Sequence, residues 1–178
     1  EAAGSIQGLD REEDPKSGER FLIRSLIEEA MTSSQLEGAS TTREVAKELL
    51  RSGRAPRDRS EQMIFNNHQV MTQLRRWQHR PLTPSAIFEM HRILMQDTLN
   101  DPGAAGRFRR DEERVVVEDN RDGTVLHQPP PADQLPGRLQ ALCDFANAPE
   151  GDDFLHPVVR AIALHFQIGY DHPFVDGN

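Results

Sequence analysis

Several features that would commit the chain to a particular class of protein are scarce or missing. A single cysteine in 178 residues, Cys143, rules out an internal disulfide and suits a reducing compartment. Set among Leu139, Leu142 and Phe145, its thiol reads as a small buried apolar group rather than a nucleophile. No apolar run approaches the roughly 20 residues needed to cross a bilayer, and Glu1 to Gly8 lacks a basic-then-apolar leader pattern. No membrane partner is therefore expected, and the expected location is cytoplasmic. Positive charge is not in excess either: 21 basic side chains against 29 acidic ones give a formal charge of -8. That balance argues against nucleic acid as a partner of this fragment, so any phosphate chemistry has to be local.

What remains is a polar but foldable chain, with 36% hydrophobic and 28% charged residues and apolar positions arranged periodically. It opens on Glu1 rather than methionine and ends inside a loop, so a piece of a longer polypeptide is expected. Residues 1–18 read as a flexible lead-in. From Phe21 the spacing of Leu22, Leu26, Ile27, Ala30 and Met31 predicts a helix towards Leu36, stopped by Gly38. Thr41 and Glu44 form a capping-box pattern ahead of a short helix that ends at Gly53. Ser60 is placed to cap a longer helix through Ile64, Val70 and Trp77, closed by Pro81. Thr83 and Pro84 then supply a capping hydroxyl and a first-turn proline for a helix through Ile87, Met90 and Leu94.

The period changes between Val115 and Leu126, where β-branched runs flank a polar turn at 119–123 and predict a hairpin. Another helix follows through Leu135, Leu139, Leu142 and Phe145. The last helix opens at Pro157 and is apolar almost all round, which reads as a central buried element delivering His172. The resulting class is all-α, a mainly helical bundle with one β-hairpin.

Chemistry concentrates in His172-Pro173-Phe174-Val175-Asp176-Gly177-Asn178. Histidine is suited to take a proton from a hydroxyl near neutral pH. Proline restricts the backbone, and phenylalanine offers an anchor to the core. Asp176 provides the hard oxygen that Mg²⁺ prefers. Gly177 allows close backbone approach, and with the Asn178 amide it could begin a phosphate cradle. Singly these are ordinary turn residues. As a set, the segment resembles the first seven positions of the Fic signature, which normally continues with glycine and arginine.

That resemblance implies that His172 is the base, Asp176 the magnesium ligand, and Gly177 and Asn178 part of the anion-binding loop. The Asp-Gly-Asn form resembles the branch that transfers AMP more than the one that transfers phosphate. Upstream, Ser33-Ser34-Gln35-Leu36-Glu37-Gly38 resembles the Fic inhibitory motif, in which Ser33, Glu37 and Gly38 match the patterned positions. Glu37 would obstruct the ATP γ-phosphate by pairing with the signature's later arginine. The hairpin resembles the Fic flap, with Val125 and Leu126 as target-docking residues.

The implied organisation is an N-terminal helical region over 19–80 carrying the inhibitory helix and a Fic core over 81–178 that is incomplete at its end. The implied activity is a protein adenylyltransferase that moves AMP from ATP, with Mg²⁺, to a Ser, Thr or Tyr hydroxyl of a target protein. A homodimer is a further expected partner. Because the signature is cut short, this chain on its own is expected to be weak or inactive. A hydrolase that removes AMP, and a non-catalytic protein-binding helical module, are the alternatives.

Overall fold

Helical periodicity becomes six α-helices among the described residues, which are 15–77, 79–119, 121–149 and 155–178 of a computed structural model. The chain divides into two compact units, one running to Thr72 and the other from Gln73. The first unit holds α1 (Pro15–Leu36), α2 (Arg43–Ser52) and most of α3 (Arg59–Trp77). The second holds α4 (Pro84–Leu94), β1 (Val117–Glu118), β2 (Val125–His127), α5 (Leu135–Asn147) and α6 (Pro157–Asp171). The two strands pair antiparallel. A mainly helical fold with one β-hairpin is therefore the architecture found, and no described helix is long and apolar enough to cross a membrane.

Local chemistry sets the helix ends. α1 starts at Pro15, ahead of Phe21, so residues 15–18 of the expected lead-in are helical, while residues 1–14 lie outside the described residues. It stops in a Schellman motif: Ala39 N–H donates to Ser34 O at 2.8 Å, Gly38 N–H donates to Gln35 O at 3.1 Å, and Gly38 has φ +94°. The cap of α2 is Thr42 rather than Thr41, with its hydroxyl accepting from Val45 N–H. The cap of α3 is Asp58 rather than Ser60, because a carboxylate one turn ahead takes the Glu61 N–H at 2.8 Å. Ser60 instead accepts from the Ser40 N–H. Thr83 caps α4 as expected, accepting from Ala86 N–H at 3.1 Å ahead of Pro84.

The first unit packs Met31, Ala39, Ala46 and Ile64 together. The second packs Ile87 from α4 against Leu139, Leu142 and Cys143 from α5, with Leu164 and Ile168 from α6 and Phe174 from the signature. Asn147 ties the ends of this layer, exchanging hydrogen bonds with the Leu82 N–H and C=O at 2.8 and 2.7 Å. α6 departs from expectation. Its Leu164 and Ile168 are packed, but Val158, Val159, Ile162, Phe166 and Tyr170 are exposed. All-round apolarity shows that every face can be buried; only packing selects which one is.

One ion pair in the first unit carries a pH consequence. Arg54 forks onto buried Glu61 at 2.6 and 2.8 Å, and the Arg57 N–H adds a third bond at 2.8 Å. Chiefly because of Arg54, the Glu61 carboxyl falls from its ordinary 4.5 to about 2. A lowered carboxyl pKa gives stability that is complete above the unfolded value and lost as pH falls through the folded one. Urea midpoints should therefore decline from about pH 4.5 towards about 2, and Glu61→Gln should flatten that decline.

Candidate active site

A helix that stops abruptly leaves its last carbonyls without intrahelical partners. At the end of α6 and in the turn that follows it, carbonyls are met by donors from elsewhere in the second unit and from Asn178 in the same turn. The Tyr170 carbonyl accepts from His127 Nε2 at 2.7 Å. Arg109 reaches the Asp171 carbonyl at 3.4 Å and the His172 carbonyl at 2.7 Å, and its own N–H bonds the Pro173 carbonyl at 2.9 Å. The Phe174 carbonyl accepts from Asn178 Nδ2 at 3.1 Å, and the Asp176 carbonyl from His91 Nε2 at 2.9 Å.

His172 stands at the C-cap of α6 with φ 40° and ψ 62°, a left-handed conformation uncommon for a residue with a Cβ. Its Nδ1 meets the Gly169 carbonyl. A carbonyl can only accept, so this contact places the hydrogen on Nδ1 and leaves the Nε2 lone pair as the ring's proton acceptor. Pro173 is fully buried and Phe174 nearly so. The Phe174 ring stacks on His91 with centroids 3.8 Å apart and meets Phe88 edge-on at 6.2 Å.

Asp176 is exposed, and its Oδ1 accepts the Gly177 N–H at 2.8 Å. Gly177 has φ +72°, a conformation that favours glycine, and a Cβ there would press on the Met95 side chain at Sδ. The Asn178 side chain folds inward and also takes the Phe174 N–H at 2.8 Å, so its amide shapes the loop. The structure thus brings His172, Asp176, Gly177 and Asn178 into one ordered turn.

The hairpin residues Val125 and Leu126 are exposed on β2. The next residue, His127, packs its ring on Tyr170 with centroids 4.6 Å apart, which fastens the hairpin two residues before His172. Ser33, Glu37 and Gly38 belong to the first unit. Ser33 Oγ donates to Glu29 Oε1 at 3.2 Å, exposed Glu37 follows the last helical residue of α1, and Gly38 supplies the left-handed stop. A cleft of about 470 Å³ on the second unit, lined by Trp77, Arg80, Leu82 and Met90 among others, includes none of the signature residues.

A sequence model of the Fic/DOC family matches residues 81–178, more than half of the chain. The chain belongs to the Fic/DOC family. It is 34% identical over 97 residues to a protein adenylyltransferase Fic from Drosophila willistoni and 32% identical over 97 residues to one from Nematostella vectensis. Those alignments cover 54% of this chain but 17% and 20% of the relatives, so the chain spans about a fifth or less of the proteins it matches. Among solved structures, a Fic domain containing signaling protein from Bacteroides thetaiotaomicron superposes with a TM-score of 0.73 at 26% identity, covering 92% of this chain and 62% of that one. A Fic family protein from Desulfovibrio desulfuricans gives 0.65 at 22% identity, covering 92% and 46%.

Two residues that shape the Fic loop went unnoticed in the sequence, His91 and Arg109. His91 stands four residues after Ile87, a spacing that places both on one buried helix face, and that was its only signal. Arg109 lies in the run Arg107-Phe108-Arg109-Arg110, which reads as a solvated stretch. His91 is buried and neutral, because its Nδ1 accepts the Gly106 N–H at 2.8 Å while its Nε2–H serves Asp176. Burial pushes its pKa down, opposed by the Asp176 carbonyl and charge.

His91→Leu would leave the Gly106 N–H and the Asp176 carbonyl without these bonds. At about 1–3 kcal/mol for each orphaned group, the loss should come to about 2–6 kcal/mol, read as a lower midpoint in urea.

Proposed function

We propose that the protein carrying this chain is a protein adenylyltransferase that moves AMP from ATP to a Ser, Thr or Tyr hydroxyl of a target protein. The observation that carries this reading is the contact of His172 Nδ1 with the Gly169 carbonyl. With Nδ1–H held by Gly169, Nε2 is the atom able to receive the hydroxyl proton. The target oxygen attacks the α-phosphorus of ATP, the bond from that phosphorus to the bridging oxygen of the β-phosphate breaks, and pyrophosphate departs. His172 later returns the proton to solvent. Catalysis on this reading is mainly positioning and charge.

Asp176 fits a magnesium site of modest demand. It is one exposed carboxylate, a hard oxygen donor, and Mg²⁺ commonly takes one or two carboxylates and fills its shell with water and substrate phosphates. When bound, the ion would neutralise phosphate charge. Gly177 would allow the backbone to approach those phosphates. The names of the fly and sea-anemone relatives support ATP as the substrate and a protein as the target. Val125 and Leu126 would hold an extended segment of that target by strand addition to β2. Glu37, presented where α1 ends, would act as the brake, and we infer the cytoplasm as the setting.

The test uses the protein carrying this chain with α-³²P-ATP and Mg²⁺, comparing wild type, Glu37→Gly and the Glu37→Gly, His172→Ala double variant. Label should rise on release of the brake and fall roughly 10²- to 10⁴-fold when His172 is removed. Folded protein that never incorporates label would overturn the reading, and loss of AMP from a labelled target that depends on Glu37 would replace it with hydrolysis.

A further inference from the structure

Arg109 takes no part in the chemistry above, yet its placement is costly. Its side chain is buried. Nε donates to the His172 carbonyl at 2.7 Å, and one terminal nitrogen reaches the carbonyls of Pro130 and Asp171. Burial pushes its pKa below the ordinary arginine value, with Asp111 and Asp171 opposing at longer range. A buried cation facing neutral carbonyls is poor value as a source of stability compared with a packed apolar side chain. What the fork provides is geometry: five donors in a rigid plane can fix several main-chain oxygens at once.

The surroundings hold Arg109 firmly. Arg107 forks onto Glu113 at 2.9 and 2.6 Å, Phe108 meets Phe88 edge-on at 4.9 Å, and Gly106 turns with φ +70° to donate to His91. Opposite stands His172, whose left-handed backbone is strained and persists only where its surroundings determine it. Arg109 bonds the carbonyl of His172 itself and those of the residues on either side of it.

We propose that Arg109 is the positioning residue of the Fic loop, binding the Asp171 and His172 carbonyls with its side chain and the Pro173 carbonyl with its N–H. This holds His172 left-handed, keeps Nδ1 on Gly169 and leaves Nε2 as the proton acceptor. The inference deepens the reading of His172 as the base and rests on it.

Two measurements test it without relying on turnover. In ¹⁵N-labelled chain, long-range ¹H–¹⁵N NMR should find His172 as the Nδ1–H tautomer, and Arg109→Lys, which keeps the charge but not the fork, should convert it to a mixture while far-UV circular dichroism is retained. A folded Lys variant with His172 unchanged overturns the proposal. In the unsubstituted chain, which needs no variant to fold, the Arg109 Nε–H should exchange with solvent far more slowly than that of exposed Arg110; equal rates overturn it.

In the protein carrying this chain, Arg109→Lys should lower kcat roughly 10- to 100-fold with KM for ATP little changed, as expected for a misplaced base. An unchanged kcat would overturn the positioning role. If the NMR and exchange results hold while no AMP is transferred even by Glu37→Gly, it is the adenylyltransferase reading that fails.

Discussion

The carbonyl oxygens at the end of α6 impose the constraint on which the second unit depends. A helix terminus can leave such groups to water, but here Phe174 and Pro173 are buried and the chain must turn at once. Several of these oxygens therefore take donors from distant parts of the chain. His127 comes from the hairpin, Arg109 from the segment before it and His91 from α4. Meeting this requirement fastens the hairpin, the helical core and the signature loop to one another.

The loop is consequently held in large part through its backbone carbonyls. His172 spends Nδ1 on Gly169 and retains Nε2, and Asp176 is anchored through its carbonyl while its carboxylate stays at the surface. Phe174 adds the apolar share of the anchoring through its stack on His91. Polar networks in low-dielectric surroundings are effective only when every member is satisfied, and this one shows neutral imidazole and charged guanidinium each matched to acceptors.

The same device recurs in the first unit. α1 ends at Leu36 in a left-handed stop, with Glu37 between the helix and Gly38, as α6 ends in a left-handed stop at His172. Both segments that resemble family motifs therefore lie at helix C-termini, where the chain changes direction and a side chain can be presented at a defined point. In the first case glycine supplies the positive φ at little cost; in the second a histidine does so under constraint from its neighbours.

The sequence by itself determined the helical class, the hairpin, the Thr83 cap and the identity of the signature residues. Each of these rests on residues a few positions apart, which periodicity and short motifs report directly. Nearby competition already blurred it, as where Asp58 displaced Ser60 as the cap of α3. The exposed face of α6 was beyond reach, because periodicity records which side chains are apolar and not which neighbour covers them. The roles of Arg109 and His91 were decided by tertiary structure alone. Their partners lie 63 and 85 residues away in the chain, and a buried donor finds its acceptor only when packing has brought the two together.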